Sequence, residues 1–126
     1  MDAAGPISIR AALDSLTDHW SPKVVGRVND QYVKVAKLLG EFVWHAHDDD
    51  DELFQVIYGT LVIQLEDRAD VTLEAGDVFV VPKGVRHNPV ADEECHIMLI
   101  ERQTTLHTGT ETTDRTRSIA EQLRPL

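Results

Sequence analysis

The sequence predicts an all-β protein, a closed barrel or sandwich of short strands. Three observations predict it. Between positions 23 and 100 the apolar residues fall into short runs of strand length. Clusters of Gly, Asn, Asp and Pro divide those runs at close, regular spacing. No helical pattern stands between consecutive runs, and parallel βαβ topology would need one. At 126 residues the chain is the size of one compact domain and can bury a core without disulfides.

The elements follow in order. From Ser8 to Leu16 the apolar residues Ile9, Ala12, Leu13 and Leu16 have helical spacing, and Ser8 suits the N-cap. Residues 1–19 read as an N-terminal arm carrying this short helix. Val24, Val25 and Val28 then lead into Asn29-Asp30, a turn signal, and Tyr32 to Leu39 continue as a second strand. Further strands are expected at Glu41 to His47, Leu53 to Tyr58, Leu61 to Glu66, Val71 to Leu73, Val78 to Val81, Val85 to Val90 and His96 to Ile100. Residues 20–103 form the barrel. The rest, 104–126, is rich in Thr and charge, with a weak helical signal from Ser118 to Leu123. It reads as a loosely attached extension, placed to cover a barrel edge.

Composition excludes some classes of function. Twelve basic residues stand against 22 acidic ones, a formal net charge of −10, with no basic stripe. Such a surface repels phosphate backbones and anionic headgroups, so neither nucleic acid nor membrane is an expected partner. No apolar stretch is long enough to span a bilayer, and Met1 to Gly5 lack the basic start of a signal peptide. With Cys95 as the single cysteine, a cytoplasmic location is the expectation.

Two motifs carry chemistry. The first is His45-Ala46-His47, four residues, then Glu52. Residues two apart on a strand share a face, so both imidazoles can converge, and a turn through Asp48 to Asp51 returns Glu52 to the same side. Two imidazoles and a carboxylate suit Fe, Mn, Ni, Zn or Cu. The competing reading is two surface histidines beside an acidic loop. The second motif runs from Gly76 to His87 with Pro82 and Gly84 inside it. Its glycines and proline bracket one strand and deliver His87 to the start of the next; alone, it equally reads as a generic strand–turn–strand.

Together the motifs resemble the cupin superfamily, usually written G-x5-H-x-H-x3-4-E-x6-G and G-x5-P-x-G-x2-H-x3-N. Six residues separate Glu52 from Gly59, and Gly76, Pro82, Gly84 and His87 fit at every spacing. Gly40 stands one residue nearer His45 than usual, and Ala91 replaces the final Asn. The resemblance spans roughly residues 32 to 101. It implies a jelly-roll barrel holding one divalent metal ion on His45, His47, Glu52 and His87.

Other residues are weighed beside this set. Strand parity puts Val43 with the ligands, and Phe42 and Trp44 on the opposite face as core or dimer contacts. Phe54, Val56 and Tyr58 share parity with Glu52, so Phe54 is a candidate pocket wall and Tyr58 a candidate pocket residue. His96 is a candidate too, either supporting the metal ligands or packed in the core. Cys95 reads as inert. Asp48 to Asp51 lacks the pattern of a Ca²⁺ loop and reads as solvated. Lys83 and Arg86 belong to a turn or lie near the pocket mouth.

Three imidazoles and one carboxylate leave open positions on a six-coordinate ion. The expected function is therefore a metal-dependent enzyme of the cupin type, an oxygenase, isomerase or lyase acting on a small oxygen-rich molecule. The alternative is a non-catalytic module that binds or senses a small ligand through the metal; a metal-free structural barrel would make the ligand set a coincidence. A homodimer is expected, because the apolar segment from Trp20 to Leu39 exceeds what one small barrel needs.

Overall fold

The computed structural model describes residues 5–104 and 116–124. Its elements are α1 (Ile9–Ser15), β1 (Lys23–Val28), β2 (Gln31–Glu41), β3 (Glu52–Tyr58), β4 (Thr60–Leu65), β5 (Val71–Glu74), β6 (Val78–Val81), β7 (His87–Arg102) and α2 (Ile119–Gln122). All strand pairs are antiparallel, in the order β1-β2-β7-β3-β6, with β4 joining β7 to β5. The result is an all-β jelly-roll barrel. No helix among the described residues is long and apolar enough to cross a membrane.

Alternation builds the core. On β7, Cys95, Ile97 and Leu99 are buried, and they meet Ala36 and Leu38 of β2, Phe54 and Val56 of β3, and Leu61, Ile63 and Leu65 of β4. The other face of β2 carries a second, smaller core: Val35 packs with Val25 and with Ala12, Leu13 and Leu16 from the α1 segment. The helix forms where the sequence predicts it, with Ser8 accepting a hydrogen bond from the Ala11 N–H at 3.1 Å. It covers part of the apolar surface that the sequence offers to a partner chain. Asn29 makes the β1–β2 turn at φ 55°, a left-handed conformation Asn tolerates. At the other end, α2 begins with a capping box of Ser118 and Glu121. Lys23 of β1 donates to the Glu121 carbonyl at 2.9 Å, and Gln122 is buried. The span 105–115 of the expected extension lies outside the described residues.

Two strand expectations are corrected. The run from Glu41 to His47 is not a strand, because β2 ends at Glu41. The segment after it is pegged to the start of β7 only at intervals, by Phe42 N–H to the Pro89 carbonyl and by the reciprocal His45–His87 pair. Pro89 has no N–H to return, so the ladder stays incomplete. The expected strands Val85 to Val90 and His96 to Ile100 are one 16-residue strand, β7. The register against β2 shifts between Leu38 and Gly40, and exposed Asp92, Glu93 and Glu94 continue the strand where the sequence suggests a break.

Candidate metal centre

His45, His47, Glu52 and His87 come together inside the barrel, all buried. Each offers a donor atom, and the four atoms lie within 4.8 Å of one another, so the group can hold one metal ion. Three different pieces of backbone place them. Glu52 opens β3 and His87 opens β7. The His45–His87 bridge has N–H to carbonyl distances of 3.0 and 2.8 Å and sets their rings 4.3 Å apart. The Gly84 N–H donates to the His47 carbonyl at 2.8 Å and fixes the third imidazole. Gly84 lies at φ 79°, which a side chain would resist.

The outer ring nitrogens are committed. His45 Nδ1 donates to the Val43 carbonyl at 2.8 Å and His87 Nδ1 to the Val85 carbonyl at 3.0 Å. A carbonyl only accepts, so these nitrogens carry the hydrogens and each Nε2 is directed inward. His45 Nε2 is buried with no hydrogen-bond partner. His47 Nε2 lies 3.1 Å and His87 Nε2 3.3 Å from Oε1 of Glu52.

Charge follows this geometry. Burial, reinforced by the neighbouring His87, pulls His45 down to about 3, so its ring is neutral. Burial also pulls on His47, but the charge and hydrogen bond of Glu52 outweigh it and raise His47 to about 9. Burial pushes Glu52 up, and His47 and His87 hold it well below the ordinary carboxylate range.

The walls differ in part from the expected ones. Phe54 is buried with its ring at right angles to His87, 6.1 Å between centroids. Tyr58 and His96 do not line this site. A register shift between Val56 and Tyr58 turns Tyr58 outward, where it is 60% exposed and packs on His96 with ring centroids 5.0 Å apart. That pair borders a separate outer cavity of about 160 Å³ with Arg10, Leu13 and Asp14. Phe42, expected on the opposite face, is buried edge-on against His45 at 5.5 Å, because its segment is not a strand and parity does not hold there. Trp44, its expected companion, is 37% exposed.

Sequence reasoning passed over Trp20, Lys34 and Glu101. Trp20 stacks on Phe42 at 4.5 Å, and the two wall a cavity of about 30 Å³ that reaches His45 and Glu52. That is room for a few water-sized groups. Lys34 and Glu101 are charged residues at inward positions of apolar strands, a signal that parity alone could have given. The acidic loop is not wholly solvated. Asp50 is buried and accepts from the Arg102 N–H, and Asp51 accepts from the Lys83 N–H, both at 2.9 Å. Arg86 pairs with Glu66 at 3.0 Å on the surface. Cys95 is buried, and burial pushes its thiol up to about 12.

Comparison with known proteins agrees with this architecture. The chain is 48% identical to a cupin-2 domain containing protein of Shewanella frigidimarina NCIMB 400, with a TM-score of 0.74 over 76% of this chain and 93% of that one. It is 43% identical over 63 residues to the uncharacterized protein YdbB of Bacillus subtilis (strain 168), half of this chain and 56% of that relative's length. It is similar in fold to hydroquinone 1,2-dioxygenase of Sphingomonas sp. TTNP3, at 22% identity and a TM-score of 0.72, over 79% of this chain and 32% of that one. Residues 32–101, which carry both motifs and most of the barrel, match the family described as Cupin domain, and the chain belongs to it.

Proposed function

We propose that the chain binds one divalent metal ion through His45, His47, Glu52 and His87 and uses it as an enzyme on a small oxygen-rich molecule. One observation carries the reading: His45 Nε2 is buried, faces the other three donors and has no hydrogen-bond partner, while its Nδ1 is tied to a backbone carbonyl. A buried, unsatisfied acceptor is costly unless something fills it. Three imidazoles and a carboxylate fit Fe, Mn, Ni, Zn or Cu, and such an ion supplies Lewis acidity at its open positions. The chain's own residues do the rest. The Val43 and Val85 carbonyls orient two imidazoles, Glu52 supplies the negative charge, and Phe42, Phe54 and Trp20 exclude water.

The cavity beside His45 and Glu52 has almost wholly apolar walls, so the cluster supplies the polar groups that a substrate entering it meets there. Metal content of protein purified without added metal tests the centre. Screening catechols, enols, keto sugars and hydroxy acids with each of the five metals tests turnover. Binding without conversion under every metal, with and without oxygen, would favour the non-catalytic binding module.

A further inference from the structure

Two charged side chains inside the barrel lie outside the four-residue cluster. Lys34 and Glu101 are both fully buried, with Nζ 3.6 Å from Oε1. Lys34 shares parity with Ala36 and Leu38, and Glu101 with Ile97 and Leu99, so both point into the barrel. The β3–β7 register pairs Leu53 with Ile100. The next position along each strand is Glu52 on one and Glu101 on the other, on the same inner face. Cross-strand neighbours of this kind stand about 5 Å apart at Cβ. Among the described residues neither carboxylate oxygen of Glu101 has a hydrogen-bond partner. Burial, with the charge of Glu52 added to it, pushes the Glu101 carboxyl up to about 8, against the pull of Lys34 and His47.

Such a pair does not serve the barrel. Well-packed apolar residues would fill the same space without the desolvation penalty, and a buried carboxyl with unfilled oxygens is a net cost. A ligand that fills those oxygens explains the residue. We propose that Glu101, held in place by Lys34, determines specificity. It accepts a hydrogen bond from the hydroxyl of a vicinally oxygenated ligand, an α-hydroxy acid or its like, whose other oxygen faces the His45–His47–Glu52–His87 cluster. The inference rests on the metal-centre reading above. A site built to bond a hydroxyl rejects the analogue that lacks it, because its own buried polar group is then left unpaired.

The test uses the full chain loaded with Zn(II), its loading measured first, and glycolate and acetate as a matched pair of probes. Calorimetry gives the ratio of their dissociation constants in wild type, in E101Q and in K34M/E101L. Zinc's own preference for a chelating ligand is common to all three and drops out. The ratio is expected to fall about tenfold in K34M/E101L and to stay near the wild-type value in E101Q, which keeps an acceptor oxygen. A ratio unchanged in K34M/E101L, or no glycolate binding by loaded wild type, overturns the inference and leaves the metal centre standing. Wild type that takes up no zinc overturns both. If K34M/E101L does not fold, K34M/E101Q and E101M are measured instead, and an unchanged ratio in both overturns the inference.

Discussion

Nε2 of His47 stands 3.1 Å from Oε1 of Glu52, with both side chains buried. In the metal-free protein this contact keeps a proton on His47, raised to about 9 from an ordinary 6.5. A metal ion must displace that proton. Zinc binding at pH 7 is therefore expected to release about one proton, and apparent affinity to rise with pH up to about 9. Calorimetry in two buffers of different ionisation enthalpy measures the release. Uptake of protons, or affinity independent of pH over that range, would refute it.

The same groups set the stability of the metal-free protein. His47 binds its proton more tightly folded than unfolded, so its contribution is present below pH 6.5 and lost as pH rises through about 9. Glu101 acts in the same sense, present below 4.5 and lost through about 8. His45 is opposite: its contribution is present above 6.5 and lost as pH falls toward about 3. Between pH 6.5 and 9 the first two act together and His45 does not oppose them. The melting temperature of metal-free protein is expected to fall across that window, and to fall less steeply in His47→Ala. A rise across it would contradict the assignment.

His87→Ala and His47→Ala are each expected to lose most bound metal while the barrel folds. Supporting residues around metal sites are worth 10–100-fold in affinity, and a direct ligand is expected to exceed about 100-fold. The core clusters are apolar and complete without an ion. Mass spectrometry of metal content, paired with far-ultraviolet circular dichroism, checks both halves. Full occupancy in His87→Ala would eliminate it as a ligand.

Gly59 makes the β3–β4 turn at φ 85°, and a Cβ there would come within 2.8 Å of the Glu94 carbonyl oxygen and 3.2 Å of the Cys95 Cα. Backbone on β7 cannot swing aside. Gly59→Ala is therefore expected to destabilise by more than the ~1 kcal/mol that left-handed strain alone costs. Gly76→Ala, at φ 94° with open space around it, is the control that pays strain only. Equal melting temperatures for the two would refute the steric account.

A homodimer is the expected state in solution. Among the described residues β1 has a strand partner on one side only, and Val28 and Leu39 are 57% and 43% exposed. Light scattering at micromolar concentration should give twice 14.1 kDa. A single 14.1 kDa species would count against it.

Much of this was legible in the sequence. The helix at Ile9–Ser15, the turn at Asn29 and most strands followed from period and turn chemistry, and the four clustered residues followed from two motifs. Two of the misses share a cause. Period-two reasoning holds only while a strand is regular. It placed Phe42 wrongly because a proline interrupts pairing beyond Glu41, and Tyr58 wrongly because a bulge reverses its face. Lys34 and Glu101 were overlooked for another reason: a charge contradicts what an inward position usually holds, so the parity that places both inside was not followed through for them.

β7 pairs with β2, β3 and β4, and it begins at His87 and ends one residue past Glu101. Its partners lie tens of residues earlier in the chain, so almost every pairing it makes closes a long loop. Chains dominated by such distant pairings fold slowly, since loop entropy is lost before contacts repay it. The cluster cannot assemble piecemeal on the way. His45 and His47 gain their backbone anchors only when the start of β7 and the Gly84 turn arrive, and β3, which Glu52 opens beside Val81 of β6, gains its second neighbouring strand from the other end of β7. Arrival of this one strand is thus the kinetic event that creates barrel and site together, and a nascent chain whose synthesis has not reached position 102 has neither.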